Sequence, residues 1–184
     1  VTLVEAHLLA VLGGDSGRAS VSFVGADRID VVRFGPDADG FVRYVTLGMS
    51  RAPMSDPAEL VAAEEGPRAE LLLTVRGAHD TVLRRLAILA ATPAVEGLVV
   101  TPGARIELGE PLWDGGAMTA VLIGEPGGFV PSLDDPAVDL LPVLPMTPNE
   151  AAYVRVHGGA ALEERWLAQG IDVRDPARAA ADLT

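Results

Sequence analysis

The sequence lacks both cysteine and lysine. The absence of cysteine excludes disulfide bonds, thiolate catalysis and cysteine-ligated zinc. All 14 basic residues are arginines, and they are dispersed along the chain, so no clustered set of cations is available to bind a phosphate backbone. We therefore expect no nucleic-acid partner. The 26 acidic residues bring the formal net charge to −12, which suits a basic protein partner but also serves solubility alone.

Aromatic residues make up only 4% of the chain, so leucine, valine and alanine must fill the core. No uninterrupted apolar run approaches the length that spans a membrane. Residues 1–12 lack the basic region and the cleavage site of a signal peptide, and we expect a cytoplasmic protein without a membrane partner. A length of 184 residues without a linker or an internal repeat predicts a single domain that spans residues 1–184.

Residue types used in catalysis and metal binding are present but isolated. His7, His79 and His157 each lack a second histidine or a glutamate at the spacing of metal ligands. The acidic loop at residues 134–139 lacks the glycine and the terminal glutamate of a calcium-binding loop. The sequence therefore predicts no metal, no cofactor and no catalytic residue.

Two stretches have the clearest strand patterns. Phe41–Leu47 alternates between apolar and polar residues, and the continuous apolar run at residues 69–75 predicts a strand that is covered on both faces. Apolar residues at helical spacing predict one helix after Thr2 and another from Asp80. The second of these helices should end at Pro93.

The strongest local signal is the Thr-Pro-Asn-Glu sequence at residues 147–150, which is typical of a capping box at the start of a helix. The run at residues 138–146 contains two prolines, which predicts an edge strand or a bulged strand. Residues 56–67 should form a loop or a short helix, and Asp175 should begin a short final helix. Strands and helices alternate irregularly, which favours an α+β fold with a mixed, largely antiparallel β-sheet flanked by helices.

Residues 46–54, which we call the 46–54 segment, follow the first of these strands. The segment reads Thr-Leu-Gly-Met-Ser-Arg-Ala-Pro-Met and contains neither a general base nor a set of metal ligands. Ser50 lies in a glycine-containing turn, but the pattern lacks the second glycine of a nucleophile elbow. Met49 and Met54 suit either an adaptable binding surface or the core.

Four stretches resemble, in their order and spacing, the motifs of the suppressor of fused domain family. They lie at residues 44–54, 68–71, 102–106 and 144–150. The resemblance covers about residues 42–179 and implies the fold of that family's N-terminal lobe. The absence of lysine and the abundance of alanine, glycine and arginine are typical of a GC-rich bacterial genome, so the chain is identified as a single-domain bacterial member.

The resemblance also implies a mode of action. Animal members of the family hold transcription factors of Hedgehog signalling in an inactive complex by capturing an extended peptide. Single-domain bacterial members are similar to predicted immunity proteins, which neutralise polymorphic toxins. In the family Glu70 corresponds to an acidic position that helps to hold the peptide, whereas Arg51 replaces another acidic residue. The expectation is a non-enzymatic protein-binding domain, with an immunity protein against a basic toxin as its more specific form.

An extended peptide can add to a sheet edge through backbone hydrogen bonds. We expect a protein or an extended peptide to add in this way at the strand Phe41–Leu47 and the 46–54 segment. Gly48 would let a partner backbone approach closely, and Met49 and Met54 would adapt to varied apolar side chains. In the alternative, Gly48 serves only the turn and both methionines lie in the core. The predicted partner-binding residues are Thr46, Gly48, Met49, Ser50, Arg51, Met54 and Glu70.

Two hypotheses from other functional classes stay open. A hydrolase or a small-ligand-binding domain would use Ser50, Glu70 and His157, and it predicts a pocket in which these side chains converge. A structural or regulatory domain would use a sheet edge for self-association. The sequence leaves the oligomeric state open.

Overall fold

The order of helices and strands follows from the computed structural model, which describes residues 2–55 and 66–184. Most of residues 56–67, for which a loop or short helix is predicted, lie outside the described residues. The elements are α1 (Leu3–Leu12), β1 (Asp15–Phe23), β2 (Ala26–Phe34), β3 (Phe41–Leu47), a 3₁₀ turn (Met49–Arg51), β4 (Ala69–Arg76), α2 (Asp80–Glu96), β5 (Arg105–Glu107), β6 (Ala120–Ile123), β7 (Leu133–Asp134), β8 (Ala137–Met146), α3 (Pro148–His157) and α4 (Gly159–Ala168).

The strands form one sheet in the order β1-β2-β3-β4-β8-β6-β5, and β7 pairs beside β8. All neighbouring strands are antiparallel except β4 and β8, which are parallel. β3 and β4 pair from Phe41 opposite Arg76 to Val45 opposite Leu72. The prediction that a peptide adds to Phe41–Leu47 as a sheet edge is wrong, because β3 lies between β2 and β4 and both strands occupy its backbone hydrogen bonds. The predicted α+β fold, with a mixed and largely antiparallel sheet flanked by helices, is confirmed.

The prediction that β8 is an edge strand is wrong, because β8 lies between β4 and β6. Its first half, up to Pro142, pairs with β4, and its second half pairs with β6. Proline lacks an N–H but keeps a carbonyl acceptor. The Pro142 carbonyl accepts from the backbone N–H of Gly124 at 2.8 Å, and the Pro145 carbonyl accepts from Arg178 at 2.8 Å. The strand tolerates both prolines because it changes neighbours between them.

Helices cover both faces of the sheet. Successive strand residues point to opposite faces, so Leu71 and Leu73 pack in the cluster beneath α2, whereas Leu72 packs with Leu8 of α1. This double coverage explains the continuous apolar run of β4. In the described part of the chain, none of the helices is long and apolar enough to cross a membrane.

Helix α2 does not end at Pro93, as the sequence predicts, but continues to Glu96. Pro93 cannot donate to the carbonyl four residues earlier in the helix. That carbonyl belongs to Leu89, and it accepts a hydrogen bond from the Thr92 hydroxyl instead. The helix therefore continues until Gly97, which adopts a left-handed conformation with φ of 70°.

The predicted capping box at the start of α3 is confirmed. Thr147 caps the helix, and the Glu150 carboxylate accepts from the Thr147 backbone N–H at 2.8 Å. The same carboxylate is fully buried and accepts two bonds of 2.8 Å from Arg178, one of 3.0 Å from Trp166 and one of 2.9 Å from the backbone of Ala181. Burial alone would raise the pKa of Glu150, but these donors outweigh burial and lower the pKa to about 2.

The C-terminal tail is therefore anchored to α3 by Arg178. The short helix predicted from Asp175 is absent from this described region, and turns occupy its place. The Asp175 carboxylate accepts from the backbone N–H of Ala177 at 2.9 Å, which closes a local turn in competition with a helix.

Candidate functional site

The 46–54 segment leaves β3 beside the start of β4. Glu70 is the second residue of β4 and precedes Leu72, the first β4 residue that pairs with β3. Glu70 therefore lies beside the backbone of the 46–54 segment, which has just left its pairing with β4. The Glu70 side chain is almost completely buried, with 1% of its surface exposed.

The Glu70 carboxylate holds the start of the segment through four hydrogen bonds. The Thr46 hydroxyl donates to Oε2 at 2.6 Å, and the Gly48 backbone N–H donates to Oε1 at 2.8 Å. Ser50 donates to Oε1 twice, from its hydroxyl at 2.7 Å and from its backbone N–H at 3.1 Å. The Thr46 hydroxyl also accepts from the backbone N–H of Leu71 at 2.8 Å, so it bridges β4 to the carboxylate.

All four of these donors are neutral. Within residues 2–55 and 66–184, no guanidinium donates to the Glu70 carboxylate. Burial raises the pKa of the Glu70 carboxyl, and the bonds from Ser50, Thr46 and Gly48 oppose that shift. The carboxylate therefore serves as an anchor for the backbone of the segment, and its lone pairs are directed at groups of its own chain.

Position 48 requires glycine because β2 lies very close to its backbone. Its φ of 131° disfavours any L side chain, and an added Cβ would lie 2.7 Å from the carbonyl oxygen of Arg28. The same carbonyl accepts from Arg51 at 2.9 Å. Arg68 donates to the carbonyls of Ser50 and Arg51 at 2.9 and 2.6 Å. Arg68 therefore holds the backbone of the segment from outside, Glu70 holds it from inside, and the Arg51 side chain ties the segment to β2.

Both methionines of the segment lie in the core. Met49 and Met54 are 7% and 5% exposed and pack with Ile29 beneath α2. The Met54 sulfur also accepts from the backbone N–H of Val100 at 3.4 Å. Arg51 and Ala52 are exposed, and Gly48, Ser50 and Pro53 are partly exposed, so these five residues form the outward surface of the segment.

A cavity lies on each side of the segment. The polar cleft, of about 260 Å³, lies towards α1 and is lined by Glu5, Arg18, Asp30, Ser50, Arg51, Arg68 and Glu70 together with apolar neighbours. The methionine pocket, of about 330 Å³, lies towards α2 and is lined by Ala26, Asp27, Ile29, Gly48, Met49, Arg51, Ala52, Pro53, Met54, Ser55, Ala90, Pro93 and Ala94.

Charge in the polar cleft is divided between both signs. Arg18 forms a salt bridge with Glu5 and lies 3.7 Å from Asp30, and Arg28 donates to the Asp30 carboxylate at 2.7 Å. The hydrogen bond from Arg28 is the main cause that lowers the pKa of Asp30. Among the described residues, the cleft therefore presents ion pairs together with the buried Glu70 carboxylate, which is bonded by neutral donors.

The predicted site residues are only partly brought together. Thr46, Gly48 and Ser50 converge on Glu70. His157, which the hydrolase hypothesis requires, lies at the end of α3 with its ring 4.3 Å from the ring of Tyr153, and it lines neither cavity. The described residues contain no group of three or more histidines and carboxylates that could hold a metal ion.

Sequence reasoning missed Arg28 and Asp30, although both belong to this site. They lie on β2, which contacts the segment only after the strands have paired. An Arg-x-Asp pair in a strand is a weak signal, because two residues on one face of any exposed strand produce the same spacing. Only the three-dimensional packing identifies them.

Comparisons with known proteins found a matching family model and several structures of similar fold. The family model described as suppressor of fused protein (SUFU) matches residues 25–179. A suppressor of fused homologue from Neisseria gonorrhoeae superimposes with a TM-score of 0.76 at 19% identity, covering 98% of this chain and 96% of that chain. None of the curated proteins matches the chain.

Two further structures have the same fold. The structure titled the Sufu-Fu complex has a TM-score of 0.66 at 13% identity and covers 97% of this chain and 90% of that chain. Drosophila Suppressor of Fused has the same TM-score and identity, but this chain spans 50% of its length. The family model therefore includes the 46–54 segment and Glu70, while α1 and β1 precede its match.

Proposed function

Because this chain belongs to the suppressor of fused family, we propose that it is a non-enzymatic protein-binding domain whose contact surface includes the 46–54 segment. The observation that carries the proposal is the saturation of Glu70. Its carboxylate accepts four bonds from its own segment, and the Ser50 hydroxyl donates to it. Such an arrangement fixes the shape of a surface, whereas a general base must reach a substrate proton.

The predicted partner-binding residues then divide into two roles. Thr46, Glu70 and the two methionines are buried, and we assign them to positioning the segment. Gly48, Ser50 and Arg51 reach the surface, and we assign them to direct contact with the partner. The structure of a Sufu-Fu complex has the same fold, which supports a protein as the class of partner.

Charge favours a basic partner. Many arginines are engaged within the chain: Arg18, Arg28, Arg33, Arg43, Arg85, Arg105, Arg174 and Arg178 pair with carboxylates. Among the described residues, several exposed carboxylates have no salt bridge, namely those of Asp114, Glu125, Asp134, Asp135 and Glu164. The surface therefore attracts cationic proteins, which also steers and accelerates encounter.

The more specific form of the proposal is an immunity protein that neutralises a basic toxin in the bacterial cytoplasm. It makes a genetic prediction, because immunity genes accompany the genes of their toxins. A toxin-like gene should lie beside the gene for this protein or beside those of its relatives. A housekeeping neighbourhood in every such genome would refute the immunity function and leave the binding proposal intact.

The binding proposal is tested with the purified product of that neighbouring gene by titration calorimetry. Arg51→Asp should tighten binding of a basic toxin, by about tenfold or ~1.4 kcal/mol, if the segment lies in the interface, because the substitution replaces a like charge by an opposite one. Glu70→Ala should weaken it through loss of the segment's shape. Glu163→Ala on α4 is the surface control. If all three variants remain folded and bind equally well, the interface lies elsewhere.

A further inference from the structure

The methionine pocket is built from three parts of the chain. Ile29, Met49 and Met54 form its buried apolar lining, and Ala90, Pro93 and Ala94 contribute the last turns of α2. The start of β2 contributes Ala26 and Asp27. Most of the lining side chains are small, which leaves a depression where larger side chains would have filled the space.

The volume and the lining determine what can fill the pocket. At about 330 Å³ the space accepts one large aliphatic or aromatic side chain together with its adjoining backbone, and it lies at the lower limit of small-ligand sites. Methionine side chains are flexible and polarizable, so Met49 and Met54 can adjust to either shape. Burial of an apolar group of this size is favourable.

Charged residues at the rim of the pocket determine which partner residue can be next to that apolar group. Asp27 and Arg51 are both exposed at the rim. Arg51 already donates to the Arg28 carbonyl at 2.9 Å, whereas Asp27 forms no salt bridge with any residue that the structure describes. The rim therefore offers one carboxylate to a cation, in agreement with the net charge of −12.

We infer that the methionine pocket is the anchor site for a partner segment in which a large apolar side chain is next to an arginine or a lysine. The apolar side chain enters between Met49, Met54 and Ala94, and the cation pairs with Asp27. This inference rests on the proposed protein-binding function and specifies the chemistry of its partner. The pocket lies against the inner side of the 46–54 segment, so a side chain seated there also contacts Gly48.

Methionine methyl groups provide a direct probe. The protein is labelled with [¹³C-methyl]methionine and titrated with N-acetyl-leucyl-arginine amide. The methyl signals of Met49 and Met54 should shift with a dissociation constant on the order of millimolar. Met118 and Met146 are fully buried and line none of the described pockets, so their signals should stay fixed as internal controls.

Two changes of the peptide separate the apolar contact from the charge. Replacing leucine by glycine should weaken binding at least about tenfold, because the buried side chain supplies most of the free energy. Replacing arginine by glutamate should weaken binding by about threefold or more, because exposed ion pairs contribute little and like charges repel. Equal binding of the glycine peptide would overturn the inference.

A matched pair of protein variants tests the location. Ala94→Phe fills the pocket from α2 and should abolish the shifts, while Ala160→Phe places the same side chain on the exposed surface of α4 and should leave them unchanged. Shifts that survive Ala94→Phe, or absence of shifts at Met49 and Met54 at about 10 mM peptide, would refute the site. The calorimetry with Arg51→Asp can still succeed in that case, so failure of the pocket is distinguishable from failure of the binding proposal.

Discussion

At the scale of single residues, Glu70 shows how a buried carboxylate is tolerated without a counter-ion. Removal of a charge from water is costly unless the charge is hydrogen-bonded. Here two hydroxyls and two backbone N–H groups supply the bonds. The arrangement makes Glu70 dependent on the conformation of the segment, and the segment dependent on Glu70.

Substitution of Glu70 by glutamine should reveal whether the Glu70 carboxyl ionises at a raised pKa in the folded protein. The amide nitrogen cannot accept from the Thr46 hydroxyl, so we expect a loss of about 1–3 kcal/mol in the free energy of unfolding at pH 4. Burial raises the pKa of Glu70 in the folded protein, so the wild type loses stability as the pH rises from the ordinary carboxyl range through that pKa. Glu70→Gln does not titrate there, and the stability gap between the two proteins should narrow from pH 4 to pH 7.

Urea denaturation of both proteins at several pH values measures this gap. Glu164→Gln on the exposed surface of α4 is the control, and its stability should follow the wild type at each pH. A stability difference that stays constant or widens with rising pH would show that the pKa of Glu70 is not raised in the folded protein.

Gly48 and Gly25 form a pair in which backbone strain can be separated from a clash. Both have positive φ, but an added Cβ at Gly25 meets nothing within 4 Å, whereas at Gly48 it lies 2.7 Å from the Arg28 carbonyl. Gly25→Ala should cost about 1–2 kcal/mol from conformation alone. Gly48→Ala should cost about 1–3 kcal/mol more from overpacking. Equal denaturation midpoints for the two variants would show that β2 yields to the added methyl group.

At the scale of elements, the first turn of α3 combines a cap with a buried ion pair. Thr147→Ala removes the hydroxyl that accepts from the Glu150 backbone N–H and should cost about 1 kcal/mol. Thr101→Ala, at an exposed position before a turn, is the matched control and should cost less than about 0.5 kcal/mol. An unchanged urea midpoint for Thr147→Ala would show that the Glu150 interactions alone hold the first turn.

Elements were predictable where their cause is local. The capping box at residues 147–150 and the strand Phe41–Leu47 follow from neighbouring residues, and both are present. The interior position of β8 was not predictable, because it depends on which strand each half meets. The continuation of α2 past Pro93 depends on the rotamer of Thr92, which the sequence pattern does not contain.

The candidate site was predictable to a similar degree. The family motifs bring Gly48, Ser50 and Glu70 to attention, and the structure has them in contact. The alternative role of the two methionines, as core residues, is the one that their burial matches. Arg28 and Asp30 could not be identified, because the pairing of β2 with β3 that carries them to the segment is set by the whole sheet.

At the scale of the whole molecule, the excess of acidic residues should destabilise the fold at neutral pH. The net charge is −12 and the pI is about 4.5, and like charges on a compact protein repel one another. Salt shortens the range of that repulsion. The thermal midpoint at pH 7.5 should therefore rise when NaCl is increased from about 10 mM to about 300 mM.

The same salt series at pH 4.5, where the net charge is close to zero, is the control. There the midpoint should stay constant or fall slightly, because screening then acts mainly on the ion pairs. A fall of the midpoint with salt at pH 7.5 would show that local ion pairs outweigh the net repulsion.

The parallel pairing of β4 with β8 has a consequence for biosynthesis. A ribosome completes β4 at Arg76 and reaches β8 only at Ala137, a delay on the order of seconds. During that interval β1 to β4 can form a meander, but the outer edge of β4 has no strand beside it. An apolar, unpaired edge invites association with other chains. The nascent protein is therefore most dependent on chaperones between these two points, and release of the last third of the chain closes the exposed edge.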